Sequence, residues 1–407
     1  MICVVGETGR ARARDLGIVV GRLPAGPHNA ITDVPGVRVG HTTLIAGSDV
    51  RTGVTAIVHD RLTGTQALNA GLATGNGFGK IVGTTQVSEL GVIETPIVLT
   101  GTLCTFRAAD ALVSYMLSLP GNETLETVNP VVAETNDGFL SDMRRRPVTE
   151  EHVLAALRGA TAGPVAEGGV GAGTGTSALG FKAGIGTSSR IVECGPGAPG
   201  PVTMGVLVQA NFGGTLTVLG VPVPPDPGQA DRPTDGPTAG GQGPGEPGRQ
   251  AAGKPAHQGA GEPDEPGTGE PGNSCVIVLA TDAPLDARRL TRVAWRSFAG
   301  MARAGSDFSG RSGDYALAFS AASTAPPATG PPPATGPLPD AALDPLFVAA
   351  ADATEEAILN SLLAAETTAG FRGHVRHAVP LDLVRRLCAA RGVLKTARGQ
   401  RPGHDQV

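Results

Sequence analysis

Aromatic side chains are scarce in this chain of 407 residues, where Phe, Trp and Tyr together make up 3%. A hydrophobic core must therefore be filled by Val, Leu, Ile and Ala. Cysteine is also rare: the five cysteines form no C-x-x-C pair, so neither a disulfide framework nor a thiolate metal site is indicated. Long apolar runs are missing, because nothing approaches the roughly 20 residues that span a bilayer. Residues 1–7 lack the basic region of a signal peptide. These absences predict a cytoplasmic protein with no membrane partner.

A strongly basic surface is lacking as well. The formal net charge is -5 and the pI is about 5.9, which argues against a surface that follows nucleic-acid phosphates. The hydrophobic fraction of 40% and the charged fraction of 17% are ordinary for a globular core. We therefore expect a globular protein that does not bind nucleic acid.

Two stretches of the chain lack the side chains that a core needs. Residues 224–273 contain no Val, Ile, Leu, Met, Phe, Tyr, Trp or Cys. Such a segment cannot bury enough apolar surface to offset its ordering entropy, so we expect a disordered loop. Residues 325–339 (APPATGPPPATGPLP) have the composition of a polyproline linker.

The remaining blocks predict a mixture of strands and helices. The apolar run at residues 274–281 (SCVIVLAT) has the length of a strand and is typical of one covered on both faces. Further strands are predicted at residues 55–59, 96–100, 202–209 and 314–321. Helices are predicted at residues 106–119, 149–160, 286–304 and 343–369.

No cofactor or metal is indicated. The glycine-rich segment 168–175 (GGVGAGTG) does not fit G-x-G-x-x-G, and no G-K-[ST] follows it, so close backbone packing or a binding loop explains it better than a nucleotide site. His374 and His377 form the closest histidine pair, but they lack the H-E-x-x-H spacing and a nearby acidic ligand.

The boundary at Ser274 is abrupt, because fifty residues without a large apolar side chain end at Asn273 and the most hydrophobic strand begins. A hydroxyl at the start of a rigid strand can attack the preceding carbonyl and shift the acyl group from nitrogen to oxygen. Hydrolysis of that ester would leave Ser274 with a free α-amine of pKa about 7.7–8.0, suited to act as a general base. From the residues alone, a strand that merely begins with Ser274 after an insertion is the favoured interpretation of this boundary.

Ordered motifs in the chain resemble those of one peptidase family. Residues 272–285 (GNSCVIVLATDAPL) resemble the processing site of the DmpA-type peptidases, the L-aminopeptidase/D-esterases and β-peptidyl aminopeptidases. Further blocks follow in the family's order: 31–41 (ITDVPGVRVGH), 67–71 (ALNAG), 95–99 (TPIVL), 134–138 (ETNDG), 171–175 (GAGTG), 208–213 (VQANFG), 312–314 (SGD) and 353–357 (ATEEA).

The resemblance implies an α/β fold, a four-layer αββα sandwich with two central sheets between helical layers. It implies one self-processed domain of residues 1–407, split into an α chain (1–273) and a β chain (274–407), and a homo-oligomer of such αβ units. No cofactor is implied. The implied activity is that of a serine aminopeptidase acting on small peptides, amides, esters or β-peptides with a free N-terminal amine.

The resemblance also implies roles for individual residues. Ser274 matches the nucleophile, and Ser312 and Asp314 match a serine and an acidic residue that orient its hydroxyl and amine. Position 314 is Glu in other members, and Asp is one methylene shorter. Asn211 matches an amide that donates to the oxyanion. Without the resemblance, a turn explains Ser312 and Asp314, and a strand-end cap explains Asn211.

The substrate's cationic N-terminus requires a carboxylate, and the block at 134–138 resembles the family's amine-binding region. Glu134 and Asp137 are the candidates, although ordinary turn chemistry also explains Asp137. Phe139 is a departure, because some members have a Tyr near this position as a second oxyanion donor and Phe cannot donate. Gly101 stands where the family tends towards Asn.

Two other functions fit the same sequence. The ornithine acetyltransferases resemble this family in fold and also cleave themselves, but before Thr, so Ser274 favours hydrolysis over acyl transfer. A binding protein whose long loop prevents processing is the other alternative.

Overall fold

The computed structural model describes residues 10–195, 200–225, 274–322 and 338–395. The predicted scissile residue Asn273 and nearly all of the predicted loop, 226–273, lie outside the described residues. The same is true of residues 325–337 of the predicted linker.

The helices alternate with strands along the described chain. They are α1 (Thr84–Leu90), α2 (Thr105–Leu117), α3 (Glu150–Arg158), α4 (Ala287–Ala304), α5 (Asp344–Leu363) and α6 (Leu381–Ala390). None of these helices is both long and apolar enough to cross a bilayer.

The strands range from two to eleven residues in length. They are β1 (Val37–Ala46), β2 (Val50–His59), β3 (Leu68–Gly77), β4 (Ile81–Val82), β5 (Val92–Ile93), β6 (Ile97–Gly101), β7 (Val131–Thr135), β8 (Ser177–Ala178), β9 (Phe181–Lys182), β10 (Ile185–Glu193), β11 (Pro201–Asn211), β12 (Thr217–Val218), β13 (Val221–Pro222), β14 (Ser274–Thr281), β15 (Gly313–Ser320), β16 (Thr368–Ala369) and β17 (Val375–Arg376).

Two large sheets organise the described chain. One has five strands in the order β1-β2-β6-β7-β4, and the other has six in the order β10-β11-β14-β15-β3-β5. Strand β14 lies inside the six-stranded sheet, antiparallel to β11 and parallel to β15. All eight of its residues are buried, which confirms the predicted strand covered on both faces.

Alternating side chains of the strands enter three separate hydrophobic clusters. Ile277 belongs to a cluster that β11 and β14 share with α4 and α5, whereas its neighbour Val276 belongs to a cluster shared by the two sheets. Leu99 enters that inter-sheet cluster too, and Val98 enters a third one with α2 and α3. The molecule is therefore a mixed α/β structure in which β14 is covered by a helical side and a sheet side.

Most of the predicted elements are confirmed, because their apolar periodicity and their caps are local signals. Helix α4 begins after Asp286, whose carboxylate accepts a hydrogen bond from the Arg289 backbone N–H at 2.8 Å. Its residues Leu290 and Met301 are fully buried, as the predicted amphipathic pattern requires. Helix α3 begins after Thr149, whose backbone N–H donates to His152 at 3.0 Å.

The ends of two predicted segments are wrong. The helix predicted at 343–369 ends at Leu363, because residues 368–369 form β16, which pairs with β17. The linker predicted at 325–339 ends earlier, since Leu338 is buried and its N–H donates to the Pro284 carbonyl at 3.0 Å.

The glycine-rich segment provides close packing of backbone. Residues Gly171–Gly173 form a 3-10 turn. A Cβ at Gly173 would collide with the Ile185 backbone nitrogen, and Gly171 has a φ of +51°. Glycine is therefore required at both positions to let this turn lie against β10.

Candidate active site

Ser274 is the first residue of β14 and lies between two other strand ends. In the sheet register it pairs with Asn211 at the end of β11 and with Gly313 at the start of β15. Ser274 is buried. Because β14 is parallel to β15, residues 312–314 come to the same edge of the sheet as the Ser274 hydroxyl.

Ser312 and Asp314 form a hydrogen-bonded pair at this edge. The Ser312 hydroxyl donates to Asp314 Oδ1 at 2.7 Å, and Asn76 Nδ2 donates to Asp314 Oδ2 at 2.9 Å. Burial raises the pKa of the Asp314 carboxyl, while the hydrogen bonds from Asn76, Ser312 and the Cys275 backbone act against that shift. Although Asp is one methylene shorter than the Glu of other family members, the Asp314 carboxylate reaches the Ser312 hydroxyl.

Asn211 is held by two hydrogen bonds of its amide. Its Nδ2 donates to the Asn136 carbonyl at 2.8 Å, and its Oδ1 accepts from the Ser177 backbone N–H at 3.1 Å. A side-chain amide carries two N–H donors, so the second can serve an oxyanion beside Ser274. Asn211 thus connects three segments, namely β11, the residues that follow β7, and β8.

Glu134 is a buried carboxylate near the end of β7. Its Oε1 accepts from the Lys80 backbone N–H at 2.9 Å and lies 3.5 Å from Lys80 Nζ. Its Oε2 is buried and has no hydrogen-bond partner within the described part of the chain. An acceptor in this state is suited to an ammonium group from outside the protein.

Tyr315 connects the surroundings of Glu134 to those of Asp314. Burial raises the pKa of the Tyr315 hydroxyl, and the negative charges of Glu134 and Asp314 raise it further. A Cβ at Gly79 would lie 3.2 Å from the Tyr315 hydroxyl oxygen, and the next residue, Lys80, contacts Glu134. Residues of the five-stranded and six-stranded sheets therefore meet around Tyr315.

Asp137 is buried against Gly101. Burial raises the pKa of Asp137 to about 7, although a hydrogen bond from the Thr52 hydroxyl opposes the shift. A Cβ at Gly101 would lie 2.6 Å from Asp137 Oδ2, so the absence of a side chain at 101 makes room for this carboxyl. The local turn uses Asn136, whose Oδ1 accepts from the Gly138 N–H at 2.9 Å.

Phe139 contacts two residues of the C-terminal part of the chain. Its ring is stacked on that of His374, with centroids 4.4 Å apart, and the Arg376 guanidinium lies 4.3 Å from its centroid. His374 Nδ1 is also 2.8 Å from the Phe139 carbonyl oxygen. These contacts give His374 a packing role beside the candidate site.

The family profile of peptidase family S58 matches residues 29–376, which is most of the chain. The chain belongs to peptidase family S58. This is the DmpA-type family that the ordered motifs indicate.

Individual relatives agree with this assignment to S58. The beta-peptidyl aminopeptidase BapA of Sphingosinicella microcystinivorans is 39% identical over 406 residues, covering 93% of this chain and 94% of the relative. The crystal structure of the PH0078 protein from Pyrococcus horikoshii OT3 is 40% identical, covers 94% of this chain and 99% of that one, and has a TM-score of 0.77.

A third relative identifies the class of hydrolase. The L-aminopeptidase D-Ala-esterase/amidase of Ochrobactrum anthropi, described as a prototype for the serine aminopeptidases and a variant of the Ntn hydrolase fold, is 35% identical with a TM-score of 0.77. The two chains are covered to 94% and 99%. The S58 chain is accordingly a serine aminopeptidase, a hydrolase. None of these findings supports the acyltransferase alternative.

Several residues of this S58 site were missed from the sequence. Asn76 supports Asp314 from 238 positions away, and Lys80 contacts Glu134 from 54 positions away. Ser177 and Tyr315 likewise enter through pairing of distant strands. Local sequence contains no signal for such contacts, since they depend on which strands become neighbours.

Proposed function

We propose that the chain cleaves itself between Asn273 and Ser274 and that the freed Ser274 is the nucleophile of the aminopeptidase. The observation that carries this proposal is the position of Ser274. It starts a buried central strand, with Asn211 on one side and the hydrogen-bonded Ser312–Asp314 pair on the other.

In self-cleavage, the Ser274 hydroxyl oxygen attacks the Asn273 carbonyl carbon. The peptide C–N bond breaks as the ester C–O bond forms, and the hydroxyl proton passes to the Ser274 nitrogen. Water then hydrolyses the ester, releasing the carboxylate of Asn273 and a free Ser274 with both hydroxyl and α-amine.

In peptide hydrolysis, the neutral α-amine accepts the proton of the Ser274 hydroxyl as its oxygen attacks the substrate carbonyl. Asn211 donates to the oxyanion, and Ser312 with Asp314 holds the hydroxyl and amine in place. The protonated amine next gives its proton to the leaving nitrogen. Water hydrolyses the resulting acyl-enzyme and restores Ser274.

Glu134 is proposed to bind the substrate's N-terminal ammonium through its unpartnered Oε2. Lys80 contacts Oε1 through its backbone N–H and its ammonium group and so orients the carboxylate. Asp137 and Phe139 line the same region: Asp137 through its buried carboxyl behind Gly101, and Phe139 through its contact with Arg376.

The substrates proposed are small peptides, amides and esters with a free amine. The relative from Sphingosinicella is a beta-peptidyl aminopeptidase and that from Ochrobactrum an L-aminopeptidase and D-Ala-esterase/amidase, so β-peptides belong to this set. No nucleic acid and no cofactor take part in the proposed reaction.

The molecular setting is proposed from the same family relationship. The three hydrophobic clusters support a four-layer αββα order, with two sheets inside two helical layers. We propose a single self-processed domain, an α chain of residues 1–273 and a β chain of 274–407, that forms homo-oligomers of αβ units in the cytoplasm.

Replacing the proposed nucleophile tests this function. Ser274→Ala should abolish both self-cleavage and hydrolysis of alanine p-nitroanilide, because one hydroxyl serves both reactions. Electrophoresis, N-terminal sequencing and the rate of p-nitroaniline release provide the readouts. Ser88→Ala, an exposed serine of α1, is the matched control. A Ser274→Ala chain that still splits before residue 274 would contradict the single-nucleophile mechanism.

A further inference from the structure

A cleft of about 250 Å³ opens beside Asn211 and is not used by the mechanism above. Its walls come from β8 and the following turn, from the residues after β11, from the loop before β15, and from β17. Among the residues that line it are Ser177, Phe212, Asp307, Ser309 and Arg376.

The cleft lies next to the candidate nucleophile. Ser177 donates its backbone N–H to Asn211, and Phe212 directly follows Asn211, the partner of Ser274 in the sheet. Ser309, another lining residue, accepts at its carbonyl from the Ser312 N–H at 3.0 Å. A substrate bound at Ser274 can therefore extend into the cleft.

The cleft and the segment that follows Glu134 meet at Asn211, the sheet partner of Ser274. The Asn136 carbonyl, two residues after Glu134, accepts from Asn211 Nδ2 at 2.8 Å, and Ser177 of the cleft wall donates to Asn211 Oδ1 at 3.1 Å. A substrate whose amine-bearing residue binds at Glu134 can therefore place its leaving part in the cleft. A volume of about 250 Å³ is below the roughly 300–1,000 Å³ of sites for drug-sized ligands and suits a single amino-acid residue.

Arg376 is the cationic side chain of this cleft. It is buried, and its guanidinium lies over the Phe139 ring, which is itself stacked on His374. Such packing fixes the planar guanidinium before a ligand arrives, so less side-chain entropy is lost on binding a carboxylate. Asp307 lines the same cleft, where its Oδ1 accepts from the Ser309 N–H at 3.2 Å, so an incoming carboxylate must lie towards Arg376.

We propose that Arg376, positioned by Phe139, binds the α-carboxylate of the leaving amino acid and makes the enzyme selective for dipeptides with a free C-terminus. This inference rests on the proposed function, because it takes Ser274 as the point of attack and Glu134 as the amine site. Phe139 then acts as a positioning residue for Arg376, which accounts for an aromatic ring without a hydroxyl at this position.

The test compares alanyl-alanine with alanyl-alaninamide, which differ only in the C-terminal carboxylate. We expect kcat/KM of the wild-type enzyme to favour the acid by about ten- to a hundredfold, the size of one hydrogen bond to a charged group. Arg376→Gln should reduce this acid-to-amide ratio to about one, and Arg376→Lys should keep part of it. A folding defect lowers both rates equally and leaves the ratio unchanged. Arg372→Gln, an exposed arginine of the same hairpin, is the matched control and should retain the wild-type ratio.

A second measurement uses only the wild-type enzyme. Free alanine should inhibit alanine p-nitroanilide hydrolysis more strongly than alaninamide does, since only alanine offers the carboxylate. Three results would each overturn the role of Arg376 but not the proposed function. They are equal kcat/KM for alanyl-alanine and alanyl-alaninamide, equal inhibition by alanine and alaninamide, and an unchanged acid-to-amide ratio in Arg376→Gln. Failure of the wild-type enzyme to hydrolyse any of the three substrates would overturn the proposed function and this inference with it.

Discussion

At the scale of residues, the described neighbours of the candidate nucleophile are amide, hydroxyl and carboxyl groups that hydrogen-bond to one another. Asn211 and Ser312 lie on either side of it, and Asp314 is bound by Ser312 and Asn76. The ammonium group of Lys80 contacts Glu134. In the proposed mechanism the general base for the Ser274 hydroxyl is its own α-amine.

Loss of Asn211 should affect turnover more than binding. Asn211→Ala removes an oxyanion donor, so we expect kcat to fall by about 10²–10³ with little change in KM. Steady-state kinetics on alanine p-nitroanilide measure this. The matched control is Asn122→Ala, whose amide donates to the Thr63 and Met116 carbonyls at 2.7 Å. Asn122→Ala should lower the stability of the fold without lowering kcat. Near-normal turnover of Asn211→Ala would show that Asn211 is only a strand-end cap.

Loss of the Glu134 charge should affect substrate binding but not self-cleavage. Glu134→Gln keeps the shape of the side chain and removes the charge that attracts an ammonium group. KM for peptides with a free amine should therefore rise by about tenfold or more, while the chain still splits, because the Asn273–Ser274 bond presents no free amine.

KM measurements on wild type and Glu134→Gln, with electrophoresis for processing, separate the two effects. Exposed Glu126→Gln is the control for loss of a carboxylate. Equal loss of both reactions in Glu134→Gln would mean that Glu134 is structural.

At the scale of elements, α5 is tied to the start of the chain by one buried carboxylate. Glu356 accepts from Arg190 at 2.7 Å, from Arg14 at 2.7 Å and from Asn29. The side chains of Glu356 and Arg190 are fully buried. Residues on both sides of the proposed cleavage site are thus held in one ion-pair network.

Removing that carboxylate should destabilise the fold strongly. Glu356→Gln leaves Arg190 buried without its counter-charge, and breaking a buried pair from one side costs about 3–5 kcal/mol. The free energy of unfolding in urea, measured in a Ser274→Ala background so that the chain remains whole, gives this value.

The control for this experiment is an exposed cluster on α4. Asp340 contacts Arg288, Arg289 and Arg292 at the surface. Asp340→Asn should change the unfolding free energy little, because exposed ion pairs contribute little. Equal stability of Glu356→Gln and wild type would contradict the proposed importance of the buried network.

Elements with a strong local pattern were predictable from the sequence, and contacts between distant elements were not. Strand β14 and helix α4 were recognised because an eight-residue apolar run and an amphipathic period are visible within one window. The end of α5 was missed because β16 forms only by pairing with β17. The Asn76–Asp314 bond and the Arg376–Phe139 contact join segments more than two hundred positions apart. The family motifs predict the candidate site residues, whereas the residues that support them can be identified only from the three-dimensional structure.

At the scale of the whole molecule, the two proposed pieces share their core. One cluster includes Val206 and Val208 from before Ser274 together with Ile277 and Leu290 from after it. Arg190 and Glu356 join the pieces a second time. We therefore expect α and β chains to stay together after cleavage and to separate only on unfolding.

Purified protein should consequently run as two pieces under denaturing conditions and as one particle under native ones. Dividing the 40.8 kDa chain in proportion to length gives roughly 27 and 13 kDa. N-terminal sequencing of the smaller piece should begin Ser-Cys-Val-Ile-Val. Pieces that separate without denaturant would contradict the shared core.

The predicted loop before Ser274 gives the last test. Deleting about residues 228–266 removes no large apolar side chain, and closure entropy changes by only about 0.6 kcal/mol for each doubling of loop length. We therefore expect the shortened chain to process and to hydrolyse alanine p-nitroanilide like the wild type. The residues immediately before Ser274 are retained, because the proposed self-cleavage requires the Asn273 carbonyl within reach of the hydroxyl. Deleting residues 267–272 instead is the matched comparison and should slow self-cleavage. Time courses by electrophoresis, with activity measured on the same samples, distinguish these outcomes. An uncleaved chain with full activity on peptides would show that Ser274 needs no free amine, and the base assigned in this mechanism would then be wrong.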